Sequence, residues 1–152
     1  VSHVKRADSS GKHCQKVEHC CELKVEGNSM CYAHHCMLTT LSVVGALGIA
    51  ESDWSMSYQS RLGPAKWLQP STTKMVEHLA KNGKSKIVIV SPAFLADGLE
   101  TLEELDIEIR EHFLEHGGKE LTVVSCLNDD PSWIQGLGQL VKNAFLHPLP
   151  RN

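Results

Sequence analysis

Two β-branched runs, Lys86–Val90 (KIVIV) and Leu121–Cys126 (LTVVSC), bracket a stretch of helical periodicity, and this arrangement restricts the fold more than any other feature of the chain. Short apolar runs without polar alternation belong to strands buried on both faces, which occur in parallel sheets whose crossovers are helices. Between the runs, Leu99, Leu102, Leu105, Ile109 and Phe113 fall within roughly 120° of one another at about 100° per residue. One side of the intervening helix is therefore expected to lie on a core.

The alternation extends in both directions. Met37–Leu47 (MLTTLSVVGAL) is expected to form a helix ending near Gly48, and Trp54–Gln59 (WSMSYQ) alternates as a strand. Gly63, Pro64 and Pro70 break the loop around Trp67. Thr72 can cap a helix running through Lys81 and stopped at Gly83, and a last helix spans Trp133 to Phe145. The order βαβαβα predicts an α/β fold, a parallel sheet with helices on both faces. With 152 residues and 41% hydrophobic content, the chain can bury one core of its own. A net charge of −3 gives no electrostatic reason to expect nucleic acid, and no apolar run approaches the roughly 20 residues of a membrane span. No signal peptide is expected, and the opening at Val1 reads as the interior of something longer, so a fragment is expected.

The helix between the runs carries the densest charge. Glu100, Glu104, Glu108, Glu111 and Glu115 fall in an arc of roughly 80° opposite the leucines. Only Arg110 interrupts the acids from Asp97 to Glu111, so the usual i,i+4 cations are missing. A solvated face is the plain explanation of such a run. Unpartnered stacked carboxylates fit better where a cation collects. Trp67 is either a structural plug or a ligand surface, and it sits where a strand would run out, the end at which open α/β sheets bind ligands.

Five of the six cysteines, Cys14, Cys20, Cys21, Cys31 and Cys36, crowd into residues 14–36, while Cys126 ends a β run and reads as core. The expected division is a cysteine-rich loop segment over 1–36 and an α/β domain over 37–152. The first segment has too little apolar content to build a core, so something covalent or coordinate must hold it. So local a cluster, without secretory features, argues for a reducing compartment rather than a disulfide framework. Thiolates at loop spacings suit structural zinc or an iron–sulfur cluster, and the interleaved His13, His19, His34 and His35 keep zinc open. Disulfides or free thiols are the third reading. His78, His112, His116 and His147 fall on helical surfaces and need no special role.

Ser57–Thr72 (SYQSRLGPAKWLQPST) resembles the (F/W)QS(R/K)xGxxxWLxP segment of the ferrochelatases, enzymes of haem synthesis that insert ferrous iron into protoporphyrin IX. Phe94–Glu108 (FLADGLETLEELDIE) resembles the family's F-x-x-D-x-x-E-T-L-x-E stretch, and Leu127 with Asn128 matches the LN after its next strand. The resemblance covers nearly the whole chain and implies the C-terminal half of a ferrochelatase, with the chelatase-like, Rossmann-like half fold. Some bacterial members carry a [2Fe–2S] cluster in an internal cysteine-rich insertion, which residues 14–36 resemble. That favours iron–sulfur over zinc, with four of Cys14, Cys20, Cys21, Cys31 and Cys36 as ligands and Cys14 and Cys31 foremost among them.

By the same resemblance Glu100 matches the catalytic glutamate that pairs with a histidine across the porphyrin cleft. Glu104 and Glu108 match the acidic line extending from that site and Asp97 the aspartate opening the motif, so that Glu100, Glu104, Glu108 and Asp97 are the implied metal residues of an iron path. Trp67 matches the tryptophan beside the porphyrin, with Ser60 and Arg61 on the same segment. Two departures stand out: Gly98 occupies a position where many members have histidine, and the partner histidine would precede Val1. The chain would then hold half an active site, with Fe²⁺, protoporphyrin IX and its own N-terminal half as implied partners. The implied location is the bacterial cytoplasm, with peripheral membrane contact left open. Two other readings remain: a non-catalytic iron–sulfur or haem-binding interaction module, and a related cobalt chelatase acting on an earlier tetrapyrrole, against which the QSR…GPxxWL segment argues.

Overall fold

A computed structural model describes residues 5, 7, 8, 10–22, 28–59, 64 and 66–146. Helix α1 spans Tyr32–Leu47 and α2 Thr72–Lys81; strand β1 is Lys86–Ile89. A π-helix, Glu100–Ile109, continues directly into α3, Arg110–Glu115; strand β2 is Glu120–Val123 and α4 is Pro131–Leu146. β1 and β2 pair in parallel, from Lys86 opposite Glu120 to Ile89 opposite Val123, with the long helix as their connection. The expected α/β architecture with a parallel sheet is present.

The core lies between this sheet and the helices on one face. Val76 and Ala80 of α2, Leu105 and Ile109 of the π-helix, Phe113 of α3 and Leu121 of β2 are buried together, and Ile87, Ile89 and Val123 pack against them. Phe113 is wholly enclosed, and a Cβ on Gly118 would come within 2.2 Å of its ring, so the turn into β2 closes over Phe113 only because residue 118 lacks a side chain. The other face of the strands is open: Val88 is 65% exposed and Val90 51%. Burial alternates along both strands, whereas the apolar runs predicted cover on both sides. α4 buries none of its residues and so does not supply that second layer.

The long helix departs from the α periodicity expected of it. Thr101, Leu105 and Ile109 face the core, while Leu99 and Leu102 are 73% and 59% exposed. The cause is the i→i+5 bonding, which widens each turn beyond four residues. Residues four apart then stay in line and residues three apart fall off it, so Thr101 takes the core position expected of Leu102. The Thr101 hydroxyl is satisfied there, accepting from the Gly98 N–H at 2.9 Å and donating to Asp97 Oδ1 at 3.0 Å.

Other boundaries shift for local reasons. α1 starts at Tyr32 rather than Met37, because Cys31 already holds the extended conformation of an N-cap, and Cys36 therefore lies inside the helix. Its end at Gly48, with φ 65°, agrees with expectation. Trp54–Gln59 is not a strand: only Tyr58 pairs, in a single parallel bridge to Ser71. Ser71, not Thr72, is the N-cap of α2, and the Thr72 hydroxyl instead accepts from Ser57 Oγ at 3.2 Å. α4 begins at Pro131, two residues before Trp133, because Asp130 Oδ1 accepts from the backbone N–H groups of Ser132 and Trp133 at 2.9 and 3.0 Å. Among the described residues no helix is long and apolar enough to cross a membrane.

Candidate functional site

The π-helix turns the acidic residues into a true row. Glu100, Glu104 and Glu108 are four apart, so the widened turn keeps them aligned next to the buried row of Thr101, Leu105 and Ile109. Exposure is graded along it, with Glu100 and Glu104 half-buried and Glu108, Glu111 and Glu115 open to solvent. None of the described ion pairs engages these five carboxylates. Arg110, the one interrupting cation, is turned away: its guanidinium bonds the Asp106 carboxylate and the Leu121 carbonyl of β2. Among the described residues, then, no cationic side chain is engaged by the row.

Glu104 reaches a cleft of about 130 Å³ lined by Tyr58, Gln59, Trp67, Gln69 and the start of α2. Gln59 Nε2 donates to Glu104 Oε2 at 2.8 Å, and Trp67, 39% exposed, forms part of the wall. Burial, followed by the nearby Cys36 and Cys21, raises the Tyr58 hydroxyl above its ordinary range, so it stays a neutral phenol. The volume falls below the roughly 300–1,000 Å³ of a complete small-molecule pocket, so these residues form a wall rather than an enclosure. Glu100 begins the row, and a Cβ on Gly98 would stand 3.7 Å from its Oε2, leaving room for a side chain beside that carboxylate. Ser60 and Arg61 lie outside the described residues.

Asp97 has a different setting from the row. Its Oδ1 accepts from Thr101 Oγ1 and the Cys126 N–H at 3.0 and 3.2 Å, its Oδ2 from Asn128 Nδ2 at 2.7 Å, and its own N–H donates to Asn128 Oδ1 at 2.9 Å. The Asn128 bond first, then Cys126, hold its carboxyl down at about 2. This ring ties the start of the π-helix to the end of β2, and it explains Asn128, which holds φ 45° there. Cys126 is half-buried in the same ring rather than in the core.

In the N-terminal segment Cys14 and Cys21 pack against buried Cys31, and the Cys20 and Cys21 sulfurs are 3.9 Å apart. Burial, then Cys20 and Cys31, raises the Cys14 thiol; burial, then Cys20, pushes Cys21 up to about 12. Cys36 bonds the Tyr32 hydroxyl, which it raises to about 12. Polar side chains hold the loop. Asp8 Oδ2 accepts from the N–H groups of His13 and Cys14, both at 2.8 Å, and the Cys20 carbonyl receives Asn28 Nδ2 at 3.1 Å and His13 Nε2 at 2.8 Å. The Cys21 carbonyl receives His34 Nδ1 at 2.5 Å. His19 and His35 likewise bond Glu22 and the Ser29 carbonyl, so each interleaved histidine commits a ring nitrogen locally.

His112 and His116, expected to be idle on a helix surface, meet Glu77 of α2. Their i,i+4 spacing was legible in the sequence, but the approach of Glu77 was not. His147 lies outside the described residues.

The parallel α/β unit thus sets a row of carboxylates, without ion-pair partners among the described residues, beside a cleft walled by Tyr58 and Trp67. A family model described as ferrochelatase matches residues 6–145. The ferrochelatase of Pseudomonas entomophila is 42% identical over 143 residues, covering 93% of this chain and 42% of that protein. That of Pseudomonas fluorescens is 43% identical over 145 residues, 95% and 42% of the two chains, and that of Bdellovibrio bacteriovorus 43% over 142 residues, 93% and 41%. The chain belongs to the ferrochelatase family and spans about two-fifths of the length of these curated relatives.

Proposed function

We propose that this chain supplies the acidic wall of an enzyme that inserts Fe²⁺ into protoporphyrin IX to form protohaem, in the bacterial cytoplasm. Insertion requires two pyrrole N–H protons to leave as the metal arrives. A carboxylate at the ring can take a proton and ligate the incoming ion. Glu100 is assigned that role, and Glu104 and Glu108 pass cations or protons between solvent and the cleft, each binding weakly enough to release. Carboxylates suit an iron ion that must be let go better than thiolates do. Trp67 lines the porphyrin, with Arg61 and Ser60 of the same segment as polar anchors. Asp97 contributes by fixing the helix start from which Glu100 projects. The observation that carries this reading is the unpaired π-helical row running from solvent-exposed Glu108 to half-buried Glu104 at the Trp67 cleft. Glu100→Ala in the full-length enzyme should lower the rate of iron insertion by about 10²–10⁴, the usual contribution of a positioned acid or base, with the fold intact. Insertion at the native rate would overturn the assignment.

The thiol segment fits a [2Fe–2S] cluster held by Cys14, Cys20, Cys21 and Cys31. Burial and the neighbouring thiols raise Cys14 and Cys21, and a cluster would turn that repulsion into coordination by deprotonated thiols. Bound there, the cluster would supply a rigid, redox-sensitive anchor. Leu68 packs against the buried Cys31 and Ala33 pair while its neighbour Trp67 lines the cleft, so the anchor would hold the porphyrin wall.

A further inference from the structure

Glu77, His112 and His116 are not part of the row just described, yet each offers one ligand atom and these atoms lie within 4.8 Å of one another. His112 Nε2 is 3.7 Å from Glu77 Oε2, and His116 Nε2 is 4.0 Å from Glu77 Oε1. Ligands bound at about 2.0–2.2 Å around a four-coordinate ion stand roughly 3.4 Å apart, so the two Glu77–histidine separations are already close to ligation and small side-chain rotations bring all three atoms onto one ion. His116 Nδ1 lies 2.7 Å from the His112 carbonyl, which makes Nδ1 the donor and puts the lone pair on Nε2, toward Glu77. His112 Nε2 is buried without a hydrogen-bond partner, an uncommon state that a bound ion would relieve.

We propose that Glu77, His112 and His116 bind one divalent transition ion, Zn²⁺ or Fe²⁺, reversibly. Two imidazoles and a carboxylate favour such ions over Mg²⁺ or Ca²⁺, which take oxygen ligands. Three protein ligands leave a coordination position for water, so the ion can exchange. Lys81 Nζ bonds Glu77 Oε1 and must give way, which keeps the site weak. The placement has a consequence for iron delivery. His112 and His116 continue the four-residue spacing of Glu100, Glu104 and Glu108, and Glu77 lies one turn along α2 from Thr73, which lines the Glu104 cleft. The site thus stands at the end of the carboxylate row remote from Glu100.

The test is a Zn²⁺ titration of the chain followed by the imidazole ¹⁵N resonances. The Nε2 signals of His112 and His116 should shift together, saturating at one equivalent beyond whatever the thiols take. In His112→Asn the His116 response should need at least tenfold more Zn²⁺. In Lys81→Ala it should need several-fold less, a gain that a damaged fold cannot produce. Glu100→Ala should leave the response unchanged. Immobile His112 and His116 signals at saturating Zn²⁺, a His116 response indifferent to His112→Asn, or loss of the response in Glu100→Ala would each overturn the assignment.

Discussion

The N-terminal thiol segment and the sheet with its helices are held by different forces. In the first, the buried residues are Asp8, Asn28, Cys31, Ala33 and His34, and the loop is organised by side-chain hydrogen bonds to Cys14, Cys20 and Cys21. In the second, six buried residues form one apolar cluster around Phe113. Hydrophobic burial scales with area and needs no ligand. A loop fastened by polar bonds gains little net stability from each, because water competes for the same groups. The α/β unit is therefore held by apolar burial, whereas the thiol segment is held by polar bonds that contribute little net stability.

The widest separation of the two regions should come from Cys31→Ser, which should abolish visible iron–sulfur absorption and open residues 7–36 to protease while the α/β unit unfolds as before. An unchanged spectrum would break the contrast. Phe113→Ala should do the converse, destabilising the α/β unit by about 3–5 kcal/mol in a denaturant titration while iron and sulfide content stay constant. Within the long helix, Leu105→Ala should cost about 2–5 kcal/mol, and Leu102→Ala, at an exposed position, within about 0.5 kcal/mol. Equal losses at the two leucines would mean α rather than π register. The smallest effect concerns acid. Asp97 has a folded value lowered from 3.8 to about 2, so its stabilisation is present above pH 3.8 and is lost as pH falls through about 2. Asp97→Asn should flatten the acid-unfolding curve across that interval, and a curve unchanged there would remove the latch role.

The family motif around Trp67 and Glu100 was readable because it is local, and so were the helix stop at Gly48 and α2 from Thr72 to Lys81. The crowding of the thiols was likewise legible, yet the placing of Cys36 inside a helix and against Tyr32 was hidden, because it rests on the early start of α1. The strand expected at Trp54–Gln59 shrank to one bridge because alternation describes a side-chain pattern and does not supply a pairing partner.

From its residues alone the chain specified most of its helices, its two parallel strands, the acidic row and the crowding of thiols, since each follows from spacings of a few residues. Packing decided the rest. The π register that exchanges Leu102 for Thr101 appears where the helix must fit the sheet, and the meeting of Glu77 with His112 and His116 joins helices on opposite sides of a strand in sequence. Periodicity carries no information about which turn of one helix will lie against which turn of another, because that is set by the core they jointly bury.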